Sequence, residues 1–270
     1  MTNIDYTPSM FANMTAAEVW DHRRKLLLYG RLIAVVVVAL LGIAANMLED
    51  FFVSGLLLIM LTVVVFYVVL ARDWQRILMI ITQDCDPRKF AEFYIKFLRS
   101  EVGAQRKPNN CLGYAQACAL AGLTDIAREW VAKVDPAKFN KQQRLVHTNV
   151  MANVAVVDHD EELLSEMTDR ARKTLGLNQT GKYAGVATSM ASYTSFYKAL
   201  FDGDSETAEQ QLDMFDTALV NPQQVLSSNV MHARLELLRG DEDAARPYLD
   251  YIAEHNVSCH LPDDLRALMD

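Results

Sequence analysis

Two apolar segments, LIAVVVVALLGIAANML (Leu32–Leu48) and FFVSGLLLIMLTVVVFYVVLA (Phe51–Ala71), decide the fold of the N-terminal part of this chain. As α-helices they would measure about 25 and about 32 Å, close to the roughly 30 Å thickness of a bilayer core. Glu49 and Asp50 alone separate them. Helices of soluble proteins are seldom apolar on every face. The sequence therefore predicts a transmembrane helical hairpin over residues 32–71.

Basic residues flank this hairpin, whereas its turn is acidic. Lys and Arg are retained on the cytoplasmic side of a membrane. We therefore expect an integral membrane protein with two spans and both termini in the cytoplasm. A cleaved signal peptide is the alternative, because Ile43-Ala44-Ala45 resembles a cleavage site, but the long polar N-terminus and the immediate second span argue against it. The flanking basic residues are Arg23, Arg24, Lys25, Arg31, Arg72 and Arg76.

The chain divides into four predicted segments. Residues 1–31 form an N-terminal tail and juxtamembrane helix, 32–71 the hairpin, 72–84 a stalk, and 85–270 an all-α cytoplasmic domain. Thr15 to Glu18 match a capping box, which predicts a helix from Ala16. Asp86 and Pro87 are a favourable N-cap and first residue for a helix that continues to residue 102. No stretch alternates with a period of two, so we expect no strands.

Charge and cysteine content limit the possible partners. The chain has a net charge of −8, and its first 71 residues carry four basic and five acidic groups, so the rest carries −7. An acidic domain is poorly suited to nucleic acid, and we expect none as a partner. In the cytoplasm the cysteines should be reduced thiols. These cysteines are Cys85, Cys111, Cys118 and Cys259.

Glycines recur at predicted helix ends in the C-terminal domain. Gly122, Gly203 and Gly240 are each followed by alanine after five residues and by a large apolar residue after nine. Asp158 begins a weaker copy of this pattern, and the four starts are 36, 45 and 37 residues apart. A glycine with positive φ can end one helix, and a small alanine lets the next helix approach closely. The pattern predicts paired helices with three alanines buried between them: Ala127, Ala208 and Ala245.

This pattern resembles the second half of the tetratricopeptide repeat (TPR), and it covers residues 108–254 as four helical hairpins. The first half matches less well, since the small-residue position is alanine in two repeats but Met151 and Phe196 in the others. The 45-residue spacing predicts an insertion over Gly176–Lys182. The resemblance implies a TPR-like α-solenoid, in which each repeat covers the face of its neighbour. Helices near residues 88–102 and 262–269 would cap its two ends.

Motifs for catalysis or metal binding are incomplete. The segment Gly176–Tyr183 approaches a phosphate-binding P-loop, but Tyr183 stands where Ser or Thr would hold Mg²⁺, and no strand precedes it. His255, Cys259 and His260 have no fourth zinc ligand at a recognised spacing. We therefore expect a non-catalytic protein with no metal and no cofactor.

In TPR-like arrays, the first helix of each pair lines a concave groove. Mostly polar or aromatic residues occupy these positions, a composition suited to an extended or helical peptide. The alternative is that they coat a solvated inner face. Counting back from the turn glycines, the groove positions are Asn109, Gln116, Thr148, Tyr193, Tyr197, Ser227 and Arg234.

Three functions remain open from the sequence. The first is a membrane-anchored adaptor or scaffold that binds a protein or peptide partner and contacts the bilayer through its hairpin. The second is a structural subunit of a membrane complex assembled through that hairpin, where Ala39 and Gly42 offer small residues for helix contacts. The third is a membrane enzyme with an unrecognised site.

Overall fold

The computed structural model describes residues 4–47, 51–177 and 180–269 of the chain. Within these residues the secondary structure is entirely helical, which confirms the predicted all-α class. Two short 3-10 helices span Ala104–Arg106 and Pro136–Lys138. The α-helices are α1 (Ala16–Met47), α2 (Phe51–Thr82), α3 (Pro87–Ser100), α4 (Pro108–Leu120), α5 (Thr124–Val131), α6 (Lys141–Asp158), α7 (Glu161–Gly176), α8 (Ala184–Phe201), α9 (Ser205–Asp216), α10 (Pro222–Arg239), α11 (Glu242–His255) and α12 (Asp263–Met269).

The chain forms two compact units. One contains Ser9–Met79, and the other contains Ile80–Asp270 together with the chain up to Pro8. The boundary falls in the last turns of α2, inside the segment 72–84 that the sequence assigned to a stalk. Each unit has its own packing and is described separately.

Helices α1 and α2 are long enough and apolar enough to cross a membrane. The stretches Ala16–Ile43 and Gly55–Thr82 each contain 28 residues, and almost none of the residues in their most apolar windows are buried. Apolar exposure on this scale is unusual for a soluble monomer and fits contact with lipid. The predicted turn residues Glu49 and Asp50 lie outside the described residues, as does Leu48.

The start of α1 agrees with the sequence prediction. The backbone N–H of Thr15 donates to Glu18 Oε2 at 2.8 Å, and the backbone N–H of Glu18 donates to Thr15 Oγ1 at 3.3 Å. This reciprocal pair is the predicted capping box, and it satisfies backbone donors that the first helical turn leaves unpaired. Helix α1 accordingly begins at Ala16.

A buried ion pair joins α1 to α2 within the N-terminal unit. Arg23 Nη1 lies 2.5 Å from Asp73 Oδ2, and both side chains are less than a tenth exposed. Arg23 Nη1 also donates to the backbone carbonyl of Leu70 at 3.2 Å, and His22 Nε2 lies 3.2 Å from Asp73 Oδ1. Arg23 is therefore more than a cation that flanks the first apolar segment, because it has an ionic partner on the second long helix.

Helix α3 shows how local sequence sets the packing of the second unit. Asp86 accepts a hydrogen bond from the backbone N–H of Lys89 at 3.1 Å, and Pro87 is the first helical residue, as predicted. The helix ends at Ser100, two residues before the predicted end. Its buried stripe consists of Phe90, Phe93, Tyr94 and Leu98.

Three repeat glycines have the left-handed conformation that the pattern predicts. Their φ angles are +75° at Gly122, +75° at Gly203 and +77° at Gly240. After each glycine, the next backbone N–H donates to the carbonyl five residues earlier, at 2.8 to 2.9 Å. This bond belongs to the Schellman motif, which satisfies carbonyls left unpaired at a helix end. Asp204 and Asp241 then cap the following helices, whereas Leu123 provides no capping side chain.

The weak copy of the pattern is shifted by one residue from its predicted register. His159, not Asp158, is left-handed, with φ of +53°. The same Schellman bond follows it, from the N–H of Asp160 to the carbonyl of Ala155 at 2.9 Å. Leu164, five residues after His159, is buried at the position that alanine holds in the other copies. The four left-handed residues are therefore 37, 44 and 37 residues apart.

Paired packing follows from these turns. Helices α4 and α5, α6 and α7, α8 and α9, and α10 and α11 pack as sequence neighbours, and α4 also packs on α6. Helix α8 contacts α6 and α10 as well as its sequence neighbours α7 and α9. Ala127, Ala208 and Ala245 are fully buried, as the pattern predicts.

The segment between α11 and α12 returns to the beginning of the domain. The Ser258 hydroxyl donates to Asp86 Oδ1 at 2.5 Å, and the backbone N–H of Ser258 donates to the carbonyl of Cys85 at 3.2 Å. The backbone N–H of His260 donates to the carbonyl of Leu120, at the end of α4, at 2.8 Å. The two helices predicted to close the ends of the domain, near residues 88–102 and 262–269, are therefore not at opposite ends. The segment that leads into α12 bonds directly to residues just before α3 and at the end of α4.

Candidate functional site

The first helices of the pairs line a concavity of about 370 Å³ in the C-terminal unit. Side chains from α4, α6, α8 and α10 contribute to it, together with Ile81, Thr82 and Phe215. None of the described residues that line it is charged. The described lining of the concavity therefore combines polar and apolar side chains and carries no net charge.

Carboxamide side chains are the main polar groups of this concavity. Each carries a donor NH₂ and an acceptor carbonyl, so one side chain can pair with both groups of a peptide bond. Seven such residues contribute to the lining. We call them the amide set: Gln116, Gln142, Asn149, Asn153, Asn221, Gln223 and Gln224.

Part of the amide set is held in place by hydrogen bonds. Asn153 Oδ1 accepts from the Tyr193 hydroxyl at 3.1 Å, and Asn153 Nδ2 donates to the carbonyl of Asn149 at 2.8 Å. Gln116 and Gln142 have no side-chain hydrogen bond to any described residue. The concavity thus combines oriented amides with amides whose donors and acceptors are available to a ligand.

The predicted groove residues separate into four groups. Gln116, Tyr193 and Ser227 line the concavity together. Asn109 lies outside it and accepts a hydrogen bond from Gln143 Nε2 at 2.8 Å. Thr148 is buried and lines a different cleft, between α6 and α7. The remaining two, Tyr197 and Arg234, are buried.

Tyr197 and Arg234 form part of the packing beneath the concavity. Tyr197 is 3% exposed and belongs to the core shared by α6, α7, α8, α9 and α10. Arg234 lies over the ring of Tyr197 at 5.6 Å, and its Nε is 3.5 Å from Asp264 Oδ2 on α12. The rings of Tyr193 and Tyr197 are 4.8 Å apart, as their spacing predicts. Burial raises the pKa of both phenols, so both are neutral at physiological pH.

Counting from the turn glycines overlooked most of the amide set. The turn glycines mark only one or two groove positions on each helix, and the neighbouring positions on the same helical face are left out of that count. Asn149 and Asn153 are four residues apart on α6, the spacing at which side chains share a helical face. Recurrence of Asn and Gln on the first helices is the sequence signal that would have found them.

One partly buried cluster of an aspartate, a histidine and a serine resembles a catalytic site in composition but not in geometry. Asp216 Oδ1 accepts from the Ser228 hydroxyl at 2.5 Å, and Asp216 Oδ2 lies 3.0 Å from His232 Nε2. In a nucleophilic triad the histidine lies between serine and aspartate. Here the aspartate lies between the other two, so the arrangement joins α9 to α10 and does not activate the serine.

The cysteines are also poorly suited to nucleophilic chemistry. Burial raises the pKa of Cys85 and of Cys118 to about 11, and it raises the pKa of Cys111 as well. Burial, together with the nearby Asp86 carboxylate, raises the pKa of Cys259 as well. The thiolate is the reactive form, and all four thiols remain protonated at neutral pH.

The sequence offered two other candidate sites, a zinc site and a phosphate-binding loop. No group of three or more His, Cys, Asp or Glu side chains within the described residues has the arrangement of a metal site. The segment resembling a P-loop includes residues 178–179, which lie outside the described residues. Helix α7 ends at Gly176, and Leu177 after it has right-handed backbone geometry.

Comparison of the chain with protein families, with curated proteins and with solved structures finds no match.

Proposed function

We propose that this chain is a non-catalytic, membrane-anchored adaptor whose paired helices form a TPR-like α-solenoid that binds a peptide segment of a partner protein. The concavity lined by the amide set is the observation that carries this proposal. Its lining lacks charge among the described residues, so it favours a segment whose own side chains are uncharged.

The chemistry of carboxamides supports an extended ligand. A strand-like peptide presents unpaired backbone N–H and C=O groups along its length, and each must find a partner when it leaves water. Asn and Gln can supply both partners from one side chain. Apolar neighbours such as Val186 and Phe215 add contact area for the ligand side chains.

The anchor is assigned to the two long apolar helices, with both termini in the cytoplasm. Single cysteines placed at Glu49 and at the exposed Asp243 would test this topology. An impermeant thiol reagent added to intact cells should label the first position and spare the second. Labelling at Asp243 instead would contradict the assignment.

Binding is tested by replacing the two amides that make no hydrogen bond within the described chain. The full-length protein in mild detergent would be screened against an array of unmodified ten-residue peptides. We expect uncharged, extended peptides to bind, and Gln116→Ala with Gln142→Ala to weaken binding at least tenfold without loss of helicity. Gln210→Ala with Gln211→Ala on α9 is the matched control, because neither residue lines the concavity.

The outcomes separate this proposal from the two alternatives. Equal loss in both double variants would place binding elsewhere, and absence of any peptide binding would contradict the adaptor. A partner complex disrupted by changes at Ala39 or Gly42, and unaffected by the amide variants, would favour a structural subunit assembled through the hairpin. Turnover of a substrate would be required to favour an enzyme.

A further inference from the structure

A second cleft, of about 760 Å³, lies at the open end of the α6–α7 pair. The two helices contribute matching stripes with spacings of three, four and seven residues, which place the side chains of each stripe on one helical face. The stripe on α6 comprises Lys141, Arg144, Leu145 and Thr148, and the stripe along α7 comprises Arg170, Lys173, Thr174 and Leu177. Each stripe thus has two cations beside a threonine and a leucine.

The charge of this cleft opposes the charge of the chain. Four cations line it, and none of its described lining residues is acidic, although the chain carries −8. Among the described residues, Glu166 provides an ionic partner for Arg170 from the preceding turn of α7. Lys141 Nζ lies 5.4 Å from the ring of Tyr183. The four cations are exposed to solvent and line one cleft, so an anion bound between the stripes would meet positive charge from both helices.

An apolar surface and an oriented arginine lie beside these cations. Arg144 Nε donates to the backbone carbonyl of Phe139 at 3.0 Å, which fixes the direction of its guanidinium group. The Phe139 ring lies 5.5 Å from the ring of His147, and both residues line the cleft. Burial, together with the charge of Arg170, lowers the pKa of His147, so its imidazole is neutral at pH 7. A neutral imidazole can donate and accept hydrogen bonds at the edge of an aromatic ligand.

We propose that this cleft binds a soluble phosphorylated small molecule with an aromatic or apolar moiety, the chemical class that includes nucleoside di- and triphosphates. Paired Lys and Arg side chains recognise phosphate oxygens. The volume falls in the range of small-molecule sites, roughly 300 to 1,000 Å³. A lipid headgroup shares the phosphate chemistry, but a recessed cleft with aromatic and leucine side chains fits a ligand that enters it from solution.

The binding test uses the full-length chain in nanodiscs of zwitterionic phosphatidylcholine, which adds no anionic lipid. Calorimetric titration with ATP should give saturable binding. Inorganic pyrophosphate and adenosine should each bind more weakly, because each supplies one half of the ligand. Lys141→Glu with Lys173→Glu should weaken ATP binding at least tenfold while circular dichroism remains unchanged.

A charge-matched control distinguishes the cleft from general electrostatics. Lys96→Glu with Arg246→Glu makes the same change in net charge at exposed positions that do not line the cleft. ATP binding by this variant should stay within twofold of the wild type. Equal weakening in both variants would overturn the proposal, and so would failure of the wild type to bind either ATP or pyrophosphate.

A vesicle experiment separates the two sources of phosphate. Nanodisc-held protein would be mixed with phosphatidylglycerol vesicles and sedimented. Co-sedimentation that depends on Lys141 and Lys173, without ATP binding, would overturn the assignment of a soluble ligand in favour of a lipid headgroup. ATP binding without such co-sedimentation is the expected result.

Discussion

Replacement of Gly122 by alanine should destabilise the C-terminal unit more than the same change at the other repeat glycines. Gly122, Gly203 and Gly240 have φ angles within 2° of one another. Alanine in the left-handed region costs about 1–2 kcal/mol at any of the three. The surroundings differ, because a Cβ at Gly122 would lie 2.5 Å from His260 Nδ1 and 3.1 Å from His260 Cβ. A Cβ at Gly203 or Gly240 would meet no atom within 4 Å among the described residues.

The additional cost at Gly122 follows from the hydrogen bond that the backbone of His260 makes to α4. To admit the new methyl group, the His260 ring must rotate or the segment before α12 must move away from α4. Movement would break the hydrogen bond from the backbone N–H of His260 to the carbonyl of Leu120. A net loss of about 1 kcal/mol is typical for one such bond. We therefore expect Gly122→Ala to cost about 1 kcal/mol more than Gly203→Ala or Gly240→Ala.

Chemical denaturation of the detergent-solubilised chain, followed by far-ultraviolet circular dichroism, would measure these differences in the free energy of unfolding. The decisive comparison repeats Gly122→Ala in a His260→Ala background. There the ring is absent and only the Cβ of residue 260, at 3.1 Å, remains close, so the cost of the glycine change should fall towards that seen at Gly203. Equal costs at Gly122 and Gly203 in the wild-type background would refute the proposed contact between the turn and the C-terminal segment.

Two further predictions concern charged and titratable groups. Arg23→Ala leaves Asp73 buried without its arginine partner, and it should destabilise the packing of α1 on α2 by about 3 kcal/mol in the same detergent unfolding assay. The control is Arg24→Ala at an exposed position, which should change the stability little. Burial lowers the pKa of His147 and of His260, so the unfolded chain binds protons more readily than the folded chain as pH falls below about 6.5. Stability should therefore decrease between pH 7 and 5.5, and replacing both histidines by glutamine should flatten that decrease; a rise in stability over this range would contradict the assignment.

Features set by local chemistry could be predicted from the sequence. Asp86 and Pro87 specify a helix start because few other residue pairs satisfy and pre-shape the first turn. The repeat glycines specify a left-handed turn because other residues adopt it at a cost. The same reasoning explains the error at Asp158. His159 adopts the left-handed conformation without being glycine, so the pattern offered no marker and the register was wrong by one residue.

The depth of a side chain was harder to predict than its helical face. Tyr193 and Tyr197 share a face of α8, as their spacing requires, yet Tyr193 lines the concavity whereas Tyr197 is buried. Helix α8 contacts α6, α7, α9 and α10. It therefore buries polar residues such as Ser192 and Thr194 as well. Periodicity alone cannot distinguish a polar residue in a groove from one enclosed by four neighbouring helices.

The return of the C-terminal segment could not be predicted from periodicity, because its contacts join residues far apart in sequence. Ser258 bonds to Asp86 and His260 bonds to Leu120, so the end of the domain holds both α3 and α4. An open array of paired helices can flex along its length, since each pair contacts its neighbours alone. The C-terminal segment adds contacts that such an array lacks, because His260 bonds to the end of α4 and Asp264 of α12 pairs with Arg234 of α10. If the proposed peptide binds in the concavity, Asn153 is already oriented by its hydrogen bonds and would lose little conformational entropy, whereas Gln116 and Gln142 would have to be ordered on binding.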